Sequence, residues 1–434
     1  MNAEQRKREL EKIQNNSKPV MTGARLTYHG ERASFNVYSI PLSILTYNPY
    51  NGRIGAEVKS FEKQHHVLDP DNEKDVEIIE KLLWDSKPDA NERTKNSLLE
   101  EHQHRYGIVT ADGKIIDGNR RACLLNKIWK DETIPANRKQ HAQFFDAIIL
   151  PIDADRKEII RLETTYQMGE DAKVDYGPIE KYLKAGDLRE EGFSDNEIAT
   201  FMGVKPKDIG WYLRILDLMN EYLDYYNYSG IYTMLEERED PFQKLEAALR
   251  GYRNGSSTQM WGYDVESDVS DLKAIAFDYI RLGIDQTDFR DIIRKPSKNL
   301  TDASLFANED IWRDFSDKHF QATEAIKEQS VADIIRENPD GDLKRLLRAR
   351  DNEWREKIEA TLKENFNNSR DKLSNKQQAA EPMKLLRKAF EALSAIDTNQ
   401  PSFKTADGIK ECLKNITDMA QKYLDIHNSR QTGL

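Results

Sequence analysis

Two adjacent arginines at the start of an amphipathic helical pattern are the residues of this chain best suited to chemistry. They are Arg120 and Arg121, and they directly follow Asp117, Gly118 and Asn119. The first turn of a helix offers unpaired N–H groups and a partial positive charge, and guanidinium groups match phosphate oxygens bidentately. A glycine lets the backbone approach a ligand closely. The segment therefore predicts a phosphate-binding turn, although a strand-turn-helix with solvated arginines has the same pattern.

The elements around these arginines follow from hydrophobic periodicity and turn residues. An Asp-Gly turn separates two short apolar segments before the helix, and a longer apolar run follows it. Together with alternating and helical patterns upstream, these segments predict an α/β domain at 22–160, preceded by a charged tail at 1–21. The predicted elements are short strands within 24–60 and strands at 107–110, 114–116 and 143–152, with helices at 73–86, 91–105 and 119–130.

From residue 156 onward the apolar residues recur at helical spacing almost without interruption. Helices are predicted at 156–168 and 178–191. Ser194 and Glu197 then form a capping-box sequence, and Gly203 is placed to end the helix that they begin. A second helix follows from 205. Two helices joined at a glycine turn predict a helix-turn-helix within a helical domain at 161–235.

The second helix of this pair has cationic and aromatic residues that suit contact with DNA. They are Lys205, Lys207, Trp211 and Arg214. Acidic residues on the same helix reduce its positive charge, and the whole chain has a net charge of −11. Because non-specific DNA affinity comes from lysines and arginines that meet phosphates, any DNA contact is predicted to be local.

The remainder of the chain predicts helices only. An all-α region is expected at 236–366, a polar linker at 367–381 and a new helix from Pro382. Apolar residues within 385–393 and 412–426 have helical spacing, which predicts a C-terminal helical hairpin in 367–434. The pair either closes on itself as a bundle or forms a dimerisation coiled coil.

Composition limits the class of protein. Two cysteines, at 123 and 412, argue against a disulfide framework and a zinc module. No apolar run approaches the length of a membrane span, and the first residues lack the apolar core of a signal peptide. We therefore expect a cytoplasmic protein with no membrane partner.

Five short motifs resemble those of the ParB/sulfiredoxin superfamily, specifically ParB-like partition proteins. They occur in the family's order across about residues 36–220. The motifs are Ile40-Pro41-Leu42-Ser43-Ile44-Leu45 with Asn48-Pro49-Tyr50-Asn51-Gly52-Arg53, then Gly118-Asn119-Arg120-Arg121, Leu162-Glu163-Thr164-Thr165-Tyr166-Gln167, Asp175-Tyr176-Gly177-Pro178-Ile179-Glu180, and the helix-turn-helix at 194–218. The resemblance implies an α+β chain: a small ParB/sulfiredoxin-like α/β domain, a helix-turn-helix and an all-α C-terminal region.

The resemblance also implies a function and a set of site residues. A nucleoside triphosphate, CTP or ATP, would bind at Gly118–Arg121, with Mg²⁺ near Glu163, and would act as a switch in a DNA-binding homodimer. The implied nucleotide contacts also include Arg53, Thr164 and Gln167. Asn119 stands where the family has glutamate, which leaves the nucleotide and its hydrolysis open. Asn119 also stands where sulfiredoxins need their cysteine, which excludes sulfiredoxin chemistry.

Two other classes of function stay open at this point. One is a metal-dependent nuclease or NTPase, as described for some ParB-like domains in defence loci, with carboxylates for metal-assisted hydrolysis. The candidate carboxylates are Asp117, Glu163, Asp171 and Asp175. The other is an adaptor without catalysis, whose C-terminal helices bind a protein partner.

Overall fold

A computed structural model describes residues 1–50, 52–169, 177–255, 261–297, 300–339 and 341–431. The described chain is mostly helical, with one small five-stranded mixed sheet in its N-terminal part. The predicted α+β class is confirmed at this level. Within the described residues, no helix combines the length and the apolar character that a membrane span requires.

The sheet has the strand order β1-β2-β5-β3-β4. Only β3 and β5 are parallel, with Gly107 opposite Ala147, and the other neighbouring pairs are antiparallel. Strand β3 and most of β5 are buried because their residues are almost all apolar. The strands are β1 (Met21–Tyr28), β2 (Glu31–Pro41), β3 (Gly107–Val109), β4 (Ile115–Asp117) and β5 (Phe144–Ile149).

Helices in the N-terminal part surround this sheet. The predicted helix at 119–130 is confirmed, and the prediction at 91–105 is displaced because Pro88 occupies the first helical position, where its missing N–H costs nothing. The helices are α1 (Ala3–Asn16), α2 (Gly55–Gln64), α3 (Glu73–Asp85), α4 (Pro88–Glu101), α5 (Asn119–Lys130), α6 (Ala136–Lys139) and α7 (Arg156–Thr164).

The prediction of short strands within 24–60 is confirmed as far as Pro41 and is wrong after it. A 3-10 turn at Leu42–Ile44 follows β2, and Gly55–Gln64 is the helix α2. Ile54 and Val58 pack in the core beside the sheet, whereas Ala56 packs in the core of the helical part. A helix that is buried on two sides shows alternating burial, and this gives its sequence the appearance of a strand.

The remaining helices form the rest of the described chain. The predicted helix at 156–168 ends at Thr164 and continues as a π-helical turn at Thr165–Gly169. The later helices are α8 (Pro178–Glu190), α9 (Asp195–Met202), α10 (Pro206–Tyr225), α11 (Glu239–Arg253), α12 (Asp268–Leu282), α13 (Gln286–Ile293), α14 (Glu309–Glu324), α15 (Val331–Glu337), α16 (Leu343–Ser394), α17 (Pro401–Thr405) and α18 (Ile409–Gln431).

The predicted polar linker at 367–381 is also wrong. The helix α16 runs through it as 52 continuous residues, with Pro382 inside the helix and not at its start. The boundary that we expected between 366 and 367 therefore falls within one helix. Phe366, Ser369 and Leu373 continue the buried stripe that begins upstream, so packing extends the helix across a segment of polar composition.

Candidate functional site

A left-handed glycine sets the direction of α5 as the chain leaves β4. Gly118 is the N-cap residue and has φ of 103°, a conformation that other residues rarely adopt. A Cβ atom added there would lie 2.5 Å from Cζ of Phe145 on strand β5. Glycine is therefore required both for the turn and for the close packing of α5 against the sheet.

The side chain of Arg120 lines a pocket of about 410 Å³. Its Nε atom donates a hydrogen bond to the amide oxygen of the buried Asn91, and its Nη2 atom lies 3.5 Å from the hydroxyl of Thr94. These contacts with α4 fix the orientation of the guanidinium group. The pocket is lined by Arg53, Glu57, Ser86, Lys87, Arg120, Gly177, Pro178 and Glu180.

Apart from Ser86, which caps the C-terminal end of α3, the residues that line this pocket lie at the N-terminal ends of four helices. We call it the four-helix pocket. Arg53 and Glu57 flank the start of α2, and Lys87 is the N-cap residue of α4. Arg120 is in the first turn of α5, and Pro178 is the first residue of α8. Each helix has ten or more residues, so each contributes a partial positive charge at this end.

Charges of both signs face the four-helix pocket. Burial, and then the positive charge of Arg53, lowers the pKa of Arg120. Burial raises the pKa of Glu57 to about 7, with a contribution from the nearby carboxylate of Glu180. Burial also raises the pKa of Glu180. These two carboxylates are thus easier to neutralise than ordinary ones.

Arg121 lies elsewhere, although it is adjacent to Arg120 in sequence. Its Nη2 atom lies 2.7 Å from Oδ2 of Asp117, and its Nη1 atom donates to the carbonyl oxygens of Arg105 and Tyr106. These bonds connect the start of α5 to the ends of β3 and β4. Asp117 and Arg121 therefore connect β4 to α5, and neither residue lines the four-helix pocket.

Asn119 and Gln167 hold the loop that precedes α2. Oδ1 of the buried Asn119 accepts a hydrogen bond of 2.8 Å from the backbone N–H of Asn48. Oε1 of Gln167 accepts one of 3.2 Å from the backbone N–H of Gly52, and its Nε2 atom donates to the carbonyl of Ile116. Three motifs that are far apart in sequence therefore meet, and their polar side chains position the backbone next to Arg53.

Glu163 is buried and paired with a lysine. Its Oε1 atom lies 3.3 Å from Nζ of Lys184 on α8, and both side chains are almost fully buried. The hydroxyl of Thr164 donates to the carbonyl oxygen of Ile160 within α7. The candidate carboxylates Asp171 and Asp175 lie outside the described residues.

Carboxylates in the part of the chain that the structure describes are not grouped for metal binding. There, no three side chains of His, Cys, Asp or Glu are grouped so that they could hold a metal ion. Glu163 is paired with Lys184, and Asp117 with Arg121. The described side chains of the predicted set therefore supply single carboxylates, each next to its own cation, and no ready set of metal ligands.

The predicted pair of helices is present as α9 and α10, and Gly203 between them has φ of 67°. The capping box of Ser194 and Glu197 is also present. Residues of α8, α9 and α10 share a small apolar core that includes Ala185, Ile198 and Ile209. Local sequence rules were sufficient here, because caps and turn glycines act within a few residues.

The four candidate DNA contacts on α10 are in different environments. Lys205 and Lys207 are exposed at its N-terminal end. Trp211 is half-buried and packs edge-on against Tyr182 of α8, with ring centroids 6.3 Å apart. Nε of Arg214 lies 2.6 Å from Oε1 of Glu246 on α11. The structure thus leaves the two lysines available to solvent and uses Trp211 and Arg214 in packing between helices.

Sequence reasoning missed Glu57 and Lys87, which belong to no recognised motif. Lys87 precedes a proline at a helix start, and this is the only local signal for its place.

The chain matches no known protein-family model, and no curated protein is similar enough to it to identify a relative.

We predict that Gly118→Ala destabilises the protein more than Gly192→Ala does. Both glycines have positive φ, and the space beside Gly192 is open. Alanine at 192 should cost about 1 kcal/mol of backbone strain, and alanine at 118 should add roughly 1–3 kcal/mol from its clash with Phe145. Urea unfolding of both variants measures this difference. Equal losses of unfolding free energy would contradict the packing role assigned to Gly118.

Proposed function

We propose that the four-helix pocket binds the phosphates of a nucleoside triphosphate, CTP or ATP, and that this ligand regulates DNA binding. The observation that supports the proposal is the convergence of four helix N-termini with Arg53, Lys87 and Arg120. Helix N-termini favour anions, and arginine provides charge-assisted hydrogen bonds to phosphate oxygens. The ParB-like resemblance of the motifs at 48–53, 118–121 and 177–180 leads to the same ligand class.

Arg53 and Arg120 would both contact the phosphates. Arg120 is half-buried, is held by Asn91 and lines the pocket. Placing two guanidinium groups near one another is unfavourable without an anion, since their charges repel. A phosphate chain bound between Arg53 and Arg120 would relieve this repulsion. Glu57 and Glu180 offer acceptors for the hydroxyl or amino groups of the nucleoside.

The position of the pocket indicates how nucleotide binding would affect the helix-turn-helix. The helices α5 and α2 border the sheet, whereas α8 packs on α10 through Tyr182, Leu183 and Leu216. Nζ of Lys59 on α2 also lies 2.8 Å from Oδ1 of Asp187 on α8. A ligand that contacts α5 and α8 together would therefore hold the helix-turn-helix in one position relative to the sheet.

DNA is the proposed partner of α10, through Lys205 and Lys207. Their exposure at the N-terminal end of the second helix supports contact with phosphates of the duplex. The magnesium ion would bind as a complex with the triphosphate, because Mg²⁺ keeps most of its waters and binds mainly through phosphate oxygens. This role for the ion needs no protein carboxylate cluster.

Nucleotide binding is predicted to depend on Arg120. Each charge-assisted hydrogen bond contributes about 1.5–3 kcal/mol, so Arg120→Ala should weaken binding at least tenfold. The measurement is equilibrium titration of labelled CTP and ATP with Mg²⁺. The matched control is Arg93→Ala, which removes the same charge from an exposed position on α4 outside the pocket. Unchanged affinity in a folded Arg120→Ala variant, or no binding by the wild type, would remove this pocket from consideration.

The raised pKa of Glu57 predicts a pH dependence for Glu57→Gln. With a pKa of about 7, Glu57 is mostly ionised at pH 8 and mostly neutral at pH 6. Its negative charge opposes a bound phosphate by about 1 kcal/mol or more, so Glu57→Gln should bind nucleotide roughly fivefold more tightly at pH 8. At pH 6 the two proteins should bind alike. Comparing them at each pH cancels the titration of the phosphate itself, and a constant ratio would refute the role of Glu57.

DNA binding is predicted to require the two lysines of α10. Lys205→Glu with Lys207→Glu should abolish binding of mixed-sequence duplex at low salt, while nucleotide affinity stays unchanged. Wild-type affinity should also fall steeply with salt, because bound phosphates release counterions. Fluorescence anisotropy measures both effects. The control exchanges two exposed lysines of α3, as Lys74→Glu with Lys81→Glu. Equal loss in both double variants would show an effect of net charge only.

A further inference from the structure

A second pocket lies beside the C-terminal half of α5, at the other end of this helix from Arg120. It has a volume of about 630 Å³ and is bordered by the end of β2, by α3 and α5, and by the start of β5. Trp129, which lines it, is separated from Arg120 by about 14 Å of helix. No residue that the structure describes lines both pockets. The pocket beside Trp129, hereafter the aromatic pocket, is therefore a separate site.

Two large aromatic side chains line this pocket and remain partly open to solvent. Trp129 is 39% exposed, and Phe144, the first residue of β5, is 41% exposed. Nζ of Lys139 lies 5.7 Å from the centroid of the Trp129 ring, so this ring already has a cation beside it. The faces of aromatic rings attract cations and also pack on flat apolar groups. The aromatic side chains are therefore suited to a ligand that is both cationic and apolar.

A buried carboxylate, that of Glu80 on α3, also lines the aromatic pocket. Glu80 is 8% exposed, and its Oε1 atom accepts hydrogen bonds from the hydroxyl of Tyr47, at 2.9 Å, and from Nδ2 of Asn126. Burial raises the pKa of Tyr47, so this hydroxyl keeps the proton that it donates. An ionised carboxylate can accept about four hydrogen bonds. The two bonds to Oε1 fix the orientation of the carboxylate and leave Oε2 for other donors.

The surroundings of Oε2 show which kind of partner this carboxylate takes. Nζ of Lys130 on α5 lies 3.5 Å from Oε2, and the side chain of Lys130 is 60% exposed. An ion pair with an exposed lysine adds little to stability, whereas a buried carboxylate needs a cation nearby. The ammonium group of Lys130 can therefore move into solvent when another cation takes its place. Glu80 and Lys130 are the only charged side chains among the described residues that line the pocket.

The size of the aromatic pocket also limits the kind of ligand. A volume of about 630 Å³ is within the range of pockets that hold small organic molecules. From these observations we infer that the aromatic pocket binds a small organic cation, in which an amine, amidine or guanidine group is joined to an apolar ring. The cationic group pairs with Glu80 in place of Lys130, and the ring packs against Trp129 and Phe144. This ligand is distinct from the nucleotide proposed for the four-helix pocket.

The test uses the full chain labelled with 5-fluorotryptophan and two probe molecules of nearly equal shape. Benzamidine is a planar cation with an apolar ring, and benzamide is its neutral counterpart. The fluorine NMR signal of Trp129, assigned by its loss in Trp129→Phe, should shift on titration with millimolar benzamidine. Benzamide should bind at least tenfold more weakly, because it lacks the charge that strengthens a hydrogen bond to a carboxylate.

Variants of Glu80 and Lys130 test the role of each charge. Glu80→Gln should remove the preference for benzamidine, whereas Glu77→Gln, at an exposed position on the same helix, should keep it. Lys130→Ala should bind benzamidine about fivefold more tightly, because the competing ammonium group is gone. Lys81→Ala removes the same charge from an exposed position on α3 and should bind as the wild type does.

The Lys130→Ala variant keeps the inference testable even where Glu80→Gln does not fold, since Lys130 is exposed. A merely structural role for the ion pair predicts no gain in affinity when Lys130 is removed. A Trp129 signal that does not respond to benzamidine, equal affinity for the two probes, or unchanged benzamidine affinity in Lys130→Ala would each overturn the inference.

Discussion

The convergence of four helix N-termini on one pocket is the constraint on which the rest of the site depends. Each helix brings unpaired N–H groups and a partial positive charge to the same place. Arg53, Lys87 and Arg120 add full charges at the same ends. So much positive potential is stabilised either by nearby carboxylates or by a bound anion. The lining contains two carboxylates, Glu57 and Glu180, and burial raises the pKa of each.

Polar side chains that belong to the sequence motifs hold the four helices in this arrangement. Asn119 and Gln167 tie the loop before α2 to the sheet, and Arg121 ties α5 to the strand ends. Glu163 and Lys184 pair between α7 and α8 in a buried place, where removal of either partner would leave an unpaired charge. These residues would affect binding of the proposed ligand only by fixing backbone positions. The direct contacts with the ligand would come from Arg53, Lys87 and Arg120.

Sequence reasoning succeeded where the determining interactions are local. Gly118, the helix after it, and the capping box before α9 were all predicted, since each depends on a few neighbouring residues. It failed at α2, whose burial on two sides imitates a strand, and at 367–381, where packing at Phe366 and Leu373 overrides polar composition.

The pocket could not be predicted as a whole because it is a tertiary feature. Its lining comes from four separate segments, and Lys87 and Glu57 have no distinctive neighbours in the sequence. Arg120 and Arg121 look equivalent in sequence, yet the 3.6-residue helical period turns adjacent side chains about 100° apart, and only one faces the pocket. Spacing identified the helix, and the positions of the other three helix ends decided which of the two arginines faces the pocket.

The central claim is that one anion is held by the first turns of α2, α4, α5 and α8. Hydrogen–deuterium exchange of the full chain, with and without CTP or ATP and Mg²⁺, tests it most directly. Slower exchange should occur in the peptides that contain residues 55–58, 88–91, 119–122 and 178–181, and should disappear in Arg53→Ala with Arg120→Ala. Protection confined to other segments, or none with either nucleotide, would contradict the claim.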